Sequence, residues 1–119
     1  MPSISLVIAA YNEEATLETV FARCLDVLVE CSDDFEVLIL DDASTDGTAE
    51  IAASIASDYP EVVRVITHRK NRGIAATFEE LNQAATRDYV FDIPADGEYP
   101  PEALREIVPL LEDFDIVVC

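Results

Sequence analysis

Three carboxylates, Asp92, Asp96 and Glu98, fall within seven residues of the stretch FDIPADGEYPP, Phe91–Pro101. Carboxylate oxygens at that density suit a hard divalent cation such as Mg2+ or Mn2+. Such an ion takes one or two protein carboxylates and fills its shell with waters and phosphate oxygens. It would offset repulsion between an acidic loop and an anionic ligand, and would stabilise charge on a leaving diphosphate. Asp96 is the best ligand candidate; the alternative is an aspartate that only starts a turn before Gly97. Pro94 stands where a second clustered carboxylate would be most useful.

Three other short stretches carry chemistry-bearing side chains: AAYNEE from Ala9, DDASTDGT from Asp41 and HRKNRG from His68. Asp41 and Asp42 are adjacent at the end of an apolar run. Successive strand residues point to opposite sides, so the two should do different jobs. One suits a hydrogen bond from a base N–H or a ribose hydroxyl; the other suits capping of the ASTDGT turn. Both serving as turn and cap residues is the competing reading. Tyr11 is suited to stacking on a nucleobase or to ordinary half-buried packing. Arg69, Lys70 and Arg72 crowd three of the chain's seven basic residues into one loop, fit for phosphate or simply solvated. Gly47, Gly73 and Gly97, the three glycines, each lie in one of these loops.

The elements that must position these loops alternate. Continuous apolar runs predict strands at Ile4–Ala9, Phe35–Leu40, Val62–Thr67, Tyr89–Ile93 and Phe114–Val118. Helical spacing predicts helices over Glu13–Glu30, with Asn12 as N-cap, from Ser44 or Thr45 to Asp58, and over Arg72–Thr86. In the third, Ala75, Phe78, Leu81 and Ala85 are expected inward. Pro101 opens a fourth helix, which Pro109 should bend or end. This order predicts an α/β fold, a mostly parallel sheet with helices on both faces. Ligands of such sheets sit outside the carboxyl ends of the strands, where all four loops fall.

The totals fit one domain. The chain has 119 residues, half of them apolar, and no run long enough to span a membrane. A net charge of −18 argues against nucleic acid as a partner and against attraction to an anionic membrane surface. Three cysteines without CxxC spacing read as reduced thiols. One histidine, His68, makes a zinc site an unsuitable reading. No signal peptide is expected and the chain reads as cytoplasmic.

SLVIAAYNEE, VLILDDASTDGT, NRGIAAT and PADGEYPP, in this order and spacing, resemble the family 2 glycosyltransferases with the Rossmann-like GT-A fold. The resemblance covers nearly the whole chain. It implies a nucleotide-diphospho-sugar donor (a UDP- or GDP-sugar), a divalent metal, and sugar transfer to an acceptor, usually with inversion. Carried over by position, Ala9, Tyr11 and Glu13 would line the nucleotide pocket and Asp42 would contact the base with Asp41 beside it. Arg72 joins this set from the basic loop. Asp96 matches the second aspartate of the family's DxD metal motif; Pro94 replaces the first. In extended chain Asp92 lies about 13 Å from Asp96 and Glu98 about 6.6 Å, so Glu98 is the plausible helper. The acidic loop followed by Tyr99, Pro100 and Pro101 resembles the subgroup that glycosylates polyprenyl phosphates, including dolichol-phosphate mannose synthases. That acceptor would bring the intact enzyme to a membrane surface.

The family's catalytic base and acceptor site are expected beyond residue 119, so residues 1–119 are expected to be a single donor-binding domain without the acceptor half. A sheet edge left without neighbours invites a homodimer. A phosphoacceptor receiver domain would need an acidic pair after the first strand, where AAYN stands. A dinucleotide-binding Rossmann domain needs an early glycine-rich turn, and none precedes Gly47. The remaining rival is a non-catalytic nucleotide-sugar-binding or interaction module that lacks the first DxD aspartate.

Overall fold

A computed structural model describes residues 3–98 and 100–112, the side chains of residues 111 and 112 excepted. The expected fifth strand, Phe114–Val118, lies outside the described residues, as do Tyr99 and Cys119. Four strands form one sheet: β1 (Ser3–Ala10), β2 (Asp34–Asp41), β3 (Val63–Thr67) and β4 (Tyr89–Pro94). Their order is β3-β2-β1-β4, and all three pairings are parallel. The helices between them are α1 (Leu17–Cys31), α2 (Thr48–Asp58) and α3 (Ile74–Ala84). After β4 a 3-10 turn opens at Pro101 and leads into the short α4 (Leu104–Ile107), which passes into a second 3-10 turn at Val108, next to Pro109.

Strand parity sorts the core into two layers. Ile4, Leu6, Ile8, Val37, Ile39, Phe91 and Ile93 face α1 and α2, where Val20, Phe21, Cys24, Ala52 and Ile55 meet them. Val7, Ala9, Leu38 and Leu40 face the other way, onto Leu81 of α3. Two-sided burial is why β1 and β2 are apolar almost without a break. Right-handed crossovers put α1 and α2 on one face while the chain builds outward from β1; α3 takes the other face when it returns past β1 to β4. Cys24 is inside the first layer, and burial pushes its thiol up to about 12, so it is an inert core residue.

The helix starts depart from expectation. α1 begins at Leu17, not Glu13, because Asn12 takes a left-handed backbone, φ 53°, and its side chain is spent elsewhere. α2 begins at Thr48, since residues 44–46 bond across to the β1 loop. In α3 the inward stripe is Thr77 and Leu81, with Phe78 half-buried; Ala75 is exposed.

Candidate functional site

The sheet order sets the place. Chain progress runs from β1 outward to β3, then reverses to β4 on the other side of β1. Ligands bind at such a switch point, in the crevice beyond the carboxyl ends. There the loops after β1, β2, β3 and β4 meet.

The first two loops are stitched together by their motif residues. Asn12 donates its backbone N–H to Ser44 Oγ at 2.9 Å, and its Oδ1 accepts the Thr45 N–H at 2.8 Å. The Glu13 N–H reaches Thr48 Oγ1 at 2.8 Å, and Glu14 Oε2 accepts the Gly47 N–H at 2.9 Å. Asp41 Oδ1 accepts the Ser44 N–H at 3.3 Å. Much of YNEE and ASTDGT is therefore a clasp. Asn12 and Ala43 hold positive φ in it (Ala43 φ 62°), strain that the cross-loop hydrogen bonds must offset.

Asp42 does a different job from Asp41, as strand parity requires. It is 5% exposed, and three internal donors converge on it. Oδ1 accepts from His68 Nδ1 and from the Arg72 N–H, both at 2.8 Å; Oδ2 accepts the Gly73 N–H at 2.9 Å. Burial pushes the Asp42 carboxyl up, but the His68 and backbone donors outweigh it and hold it below the usual carboxylate range. Gly73 takes φ 89°, which turns its N–H inward; a Cβ there would touch nothing within 4 Å, so the backbone angle alone asks for glycine. Gly97, at φ 82°, is the other such position, whereas Gly47 has an ordinary φ of −81°.

His68 continues the network. Its ring is buried, with Nε2 3.0 Å from Glu80 Oε2 on α3. Burial pulls its pKa down, yet the Asp42 and Glu80 carboxylates win and raise it above the ordinary value. The network fixes the backbone of the basic loop while leaving its side chains in solvent. Arg72 is 62% exposed, with a loose 3.6 Å contact to Glu80. Arg69 and Lys70 are exposed and make no ion pair among the described residues.

Beside Asp42 a cleft of about 160 Å3 opens between β1 and α3. Ala9 and Ala10 line it with Asp42 and Gly73, while Tyr11 and Ile74 stand on its rim, 45% and 62% exposed. Thr77 also lines it. Its hydroxyl is fully buried and, among the described residues, has no hydrogen-bond partner.

The acidic loop lies across the switch point. Ala95 joins β1 through its N–H to the Ala9 carbonyl at 3.2 Å, and its own carbonyl accepts from Thr16 Oγ1 at 2.5 Å. Glu13, whose Oε2 accepts from the same Thr16 hydroxyl at 3.2 Å, therefore sits between this loop and the clasp. Asp96 and Glu98 are exposed, and Asp96 Oδ1 accepts the Glu98 N–H at 2.9 Å. Asp92 is directed elsewhere: it accepts from Asn82 Nδ2 of α3 at 3.2 Å, and burial raises its pKa. Pro94 ends β4 opposite Ala9, with β4 the outer strand of the described sheet, where a missing N–H is tolerated. No group of three metal-ligating side chains exists among the described residues. Asp96 and Glu98 are two exposed carboxylates on this loop, and Mg2+ or Mn2+ needs only one or two when waters and phosphate oxygens complete the shell.

Of the residues expected at the site, Ala9, Tyr11 and Asp42 share the cleft. Asp41 and Glu13 serve the loops beside it, and Arg72 is tied to Asp42 through its backbone. Asp96 and Glu98 share the acidic loop. Sequence reading missed His68, Glu80 and Thr77. Strand pairing held a signal for the first: Asp41 pairs with Thr67, so residues 42 and 68 leave the sheet side by side.

Residues 5–119 match the sequence model of Glycosyl transferase family 2. A dolichol-phosphate mannosyltransferase of Pyrococcus furiosus is 30% identical over 110 residues, 92% of this chain and 30% of its own length. Among solved structures, a mannosyltransferase of Pyrobaculum calidifontis in complex with GDP-Man and Mn2+ superposes with TM-score 0.70 at 27% identity. It covers 87% of this chain and 30% of that one. Glucosyl-3-phosphoglycerate synthase of Mycobacterium tuberculosis, in complex with Mn2+, UDP and phosphoglyceric acid, gives 0.68 at 28% identity, covering 92% and 39%. The chain spans about a third of the length of the curated relatives it matches.

Proposed function

The chain belongs to glycosyl transferase family 2, with the GT-A fold, and on that premise we propose that it is the donor-binding part of a glycosyltransferase. It takes a nucleotide-diphospho-sugar, UDP- or GDP-linked, together with Mg2+ or Mn2+. In the reaction the bond from the anomeric carbon to the diphosphate oxygen breaks, its electron pair leaving with the nucleoside diphosphate. A bond to an acceptor oxygen forms; a hydroxyl acceptor passes its proton to a base, whereas an ionised phosphate acceptor has none to pass. The Pyrococcus relative favours a polyprenyl phosphate as that acceptor, met at a membrane surface; no described helix is long and apolar enough to cross one.

Each residue has a role in this reading. The base enters the cleft of Ala9, Tyr11 and Asp42, where Oδ2 of Asp42 keeps one lone pair for a base N–H. Asp41 and Glu13 hold the loops that shape the opening. Arg72, its side chain largely exposed and, among the described residues, held only by its 3.6 Å contact to Glu80, meets the diphosphate. Asp96 and Glu98 would hold the divalent cation, which neutralises charge on the leaving diphosphate. The observation that carries the reading is the meeting, at one switch point, of an aspartate-floored cleft and a loop with two exposed carboxylates.

Calorimetric titration of UDP and GDP, with and without Mn2+, tests it on wild type and Asp96→Ala. One nucleotide should bind in a metal-dependent way, and Asp96→Ala should abolish that dependence while stability stays within about 0.5 kcal/mol, as for an exposed side chain. Absence of binding by folded protein would overturn the reading. Pro94 in place of an aspartate favours a second reading, a nucleotide-sugar-binding module without catalysis. Slow release of free sugar from bound donor would exclude it.

A further inference from the structure

We propose that Thr77 reads the nucleobase. The inference rests on the donor-site reading above and adds a specificity residue to it. Buried hydroxyls almost always find a partner, and one that does not asks for an explanation. Thr77 is 1% exposed in the first turn of α3, lines the cleft beside Asp42, and its Oγ1 is the unpartnered buried side-chain atom among the described residues. The rim of the same cleft carries two large exposed apolar side chains, Tyr11 and Ile74. A planar heterocycle covered by Tyr11 and Ile74 would bring its polar edge to the floor.

The floor has a defined polarity. Asp42, held ionised by its internal donors, offers only acceptor capacity. Thr77 can supply the donor that Asp42 cannot. An acceptor beside a donor complements a ring N–H beside a carbonyl. Uracil has that pair at N3–H with a flanking carbonyl, and guanine at N1–H with O6. Cytosine and adenine present a ring nitrogen lone pair at the matching position, which the Asp42 carboxylate repels. Thr77 therefore turns its buried hydroxyl about χ1 toward the opening and donates to the base carbonyl while Asp42 accepts from the ring N–H, so the site takes uridine or guanosine diphosphates over the other two.

The test measures Mn2+-dependent affinity of the chain for UDP, GDP, CDP, ADP and inorganic pyrophosphate, in wild type, Thr77→Val and Thr77→Ser. Valine keeps the branched shape and removes a hydroxyl that has no partner in the free protein, so its melting temperature should not fall. Wild type should favour UDP or GDP. Thr77→Val should weaken that nucleotide roughly threefold to tenfold, the worth of one hydrogen bond, and leave pyrophosphate unchanged; Thr77→Ser should restore it. Equal nucleotide affinity in wild type and Thr77→Val would overturn the inference and leave the donor site standing. So would an equal loss for pyrophosphate, which marks a structural effect. Folded wild type that binds none of the probes would overturn the donor reading and this one with it.

Discussion

Two buried carboxylates at opposite ends of the sheet, Glu36 and Asp42, are built differently. Glu36, at the amino ends of the strands, and Asp42, at the carboxyl ends, are both 5% exposed. Glu36 is fully enclosed by donors: Ser5 Oγ at 2.6 Å, the Thr86 N–H and hydroxyl at 2.8 and 2.9 Å, and Arg64 at 2.9 Å. Burial pushes its pKa up, but these donors bring it down to about 2. Asp42 has three donors, a spare lone pair, and an unpartnered hydroxyl in the cleft beside it. A closed polar cluster fixes structure; an incomplete one next to an opening is where a ligand can supply what is missing.

Breaking the closed end should have the largest effect. Glu36→Ala leaves the Ser5 hydroxyl and the Thr86 N–H without their acceptor, while the half-exposed Arg64 is left to water, and should cost about 1–3 kcal/mol for each buried donor left unsatisfied. Urea denaturation measures it. The folded variant should bind nucleotide within about twofold of wild type, far below the tenfold that 1.4 kcal/mol would give. A parallel loss of affinity would mean that the two ends are not separate devices.

Asp42→Asn sharpens the comparison at the open end. The new amide must turn its NH2 toward at least one of three donors, costing roughly 1–3 kcal/mol for a buried mismatch. Its larger consequence is functional: affinity for UDP or GDP should fall roughly tenfold to hundredfold, because a hydrogen bond to a charged group is lost. A variant that loses stability and keeps affinity would make Asp42 as purely structural as Glu36.

The sequence makes the closed framework more legible than the open site. β1 and β2 are apolar on both faces, so the runs at Ile4–Ala9 and Phe35–Leu40 declare themselves. The two jobs of Asp41 and Asp42 follow from strand parity alone. Asn12 looks like a helix cap because caps are short polar residues before an apolar stripe; its use in a cross-loop clasp depends on Ser44 and Thr45 being opposite, which only the sheet order brings about. Thr77 is hidden for a related reason. A hydroxyl in a helix reads as solvent-facing, and the stripe of Ala75, Phe78, Leu81 and Ala85 accounts for an inward face without it, yet Thr77 precedes Leu81 by one helical turn and shares its face. The turn at Asp96 is legible because it is local, with the carboxylate and the N–H it accepts from in one short segment.

The smallest effect separates the two ends by pH. His68 contacts carboxylates through both ring nitrogens, Asp42 at Nδ1 and Glu80 at Nε2. A neutral ring has one N–H, so it would turn a lone pair toward one of them; the charged ring satisfies both. Its folded pKa is raised above 6.5. The stability it contributes is therefore whole below about pH 6.5 and is lost as pH rises through the raised value. Asp42 and Glu36, both lowered, act in the opposite sense: their contributions are present above their ordinary 3.8 and 4.5 and are lost as pH falls. Urea midpoints should thus decline on the acid side through both ends of the sheet, and on the alkaline side through His68. His68→Gln should lower stability near about pH 6 and flatten the decline above it, leaving the acid limb set by Glu36 and by Asp42, which keeps the Arg72 and Gly73 N–H donors. A wild-type midpoint that is flat from about pH 6 to 9 would show a neutral His68 at one tautomer and would remove the charge that ties α3 to the basic loop.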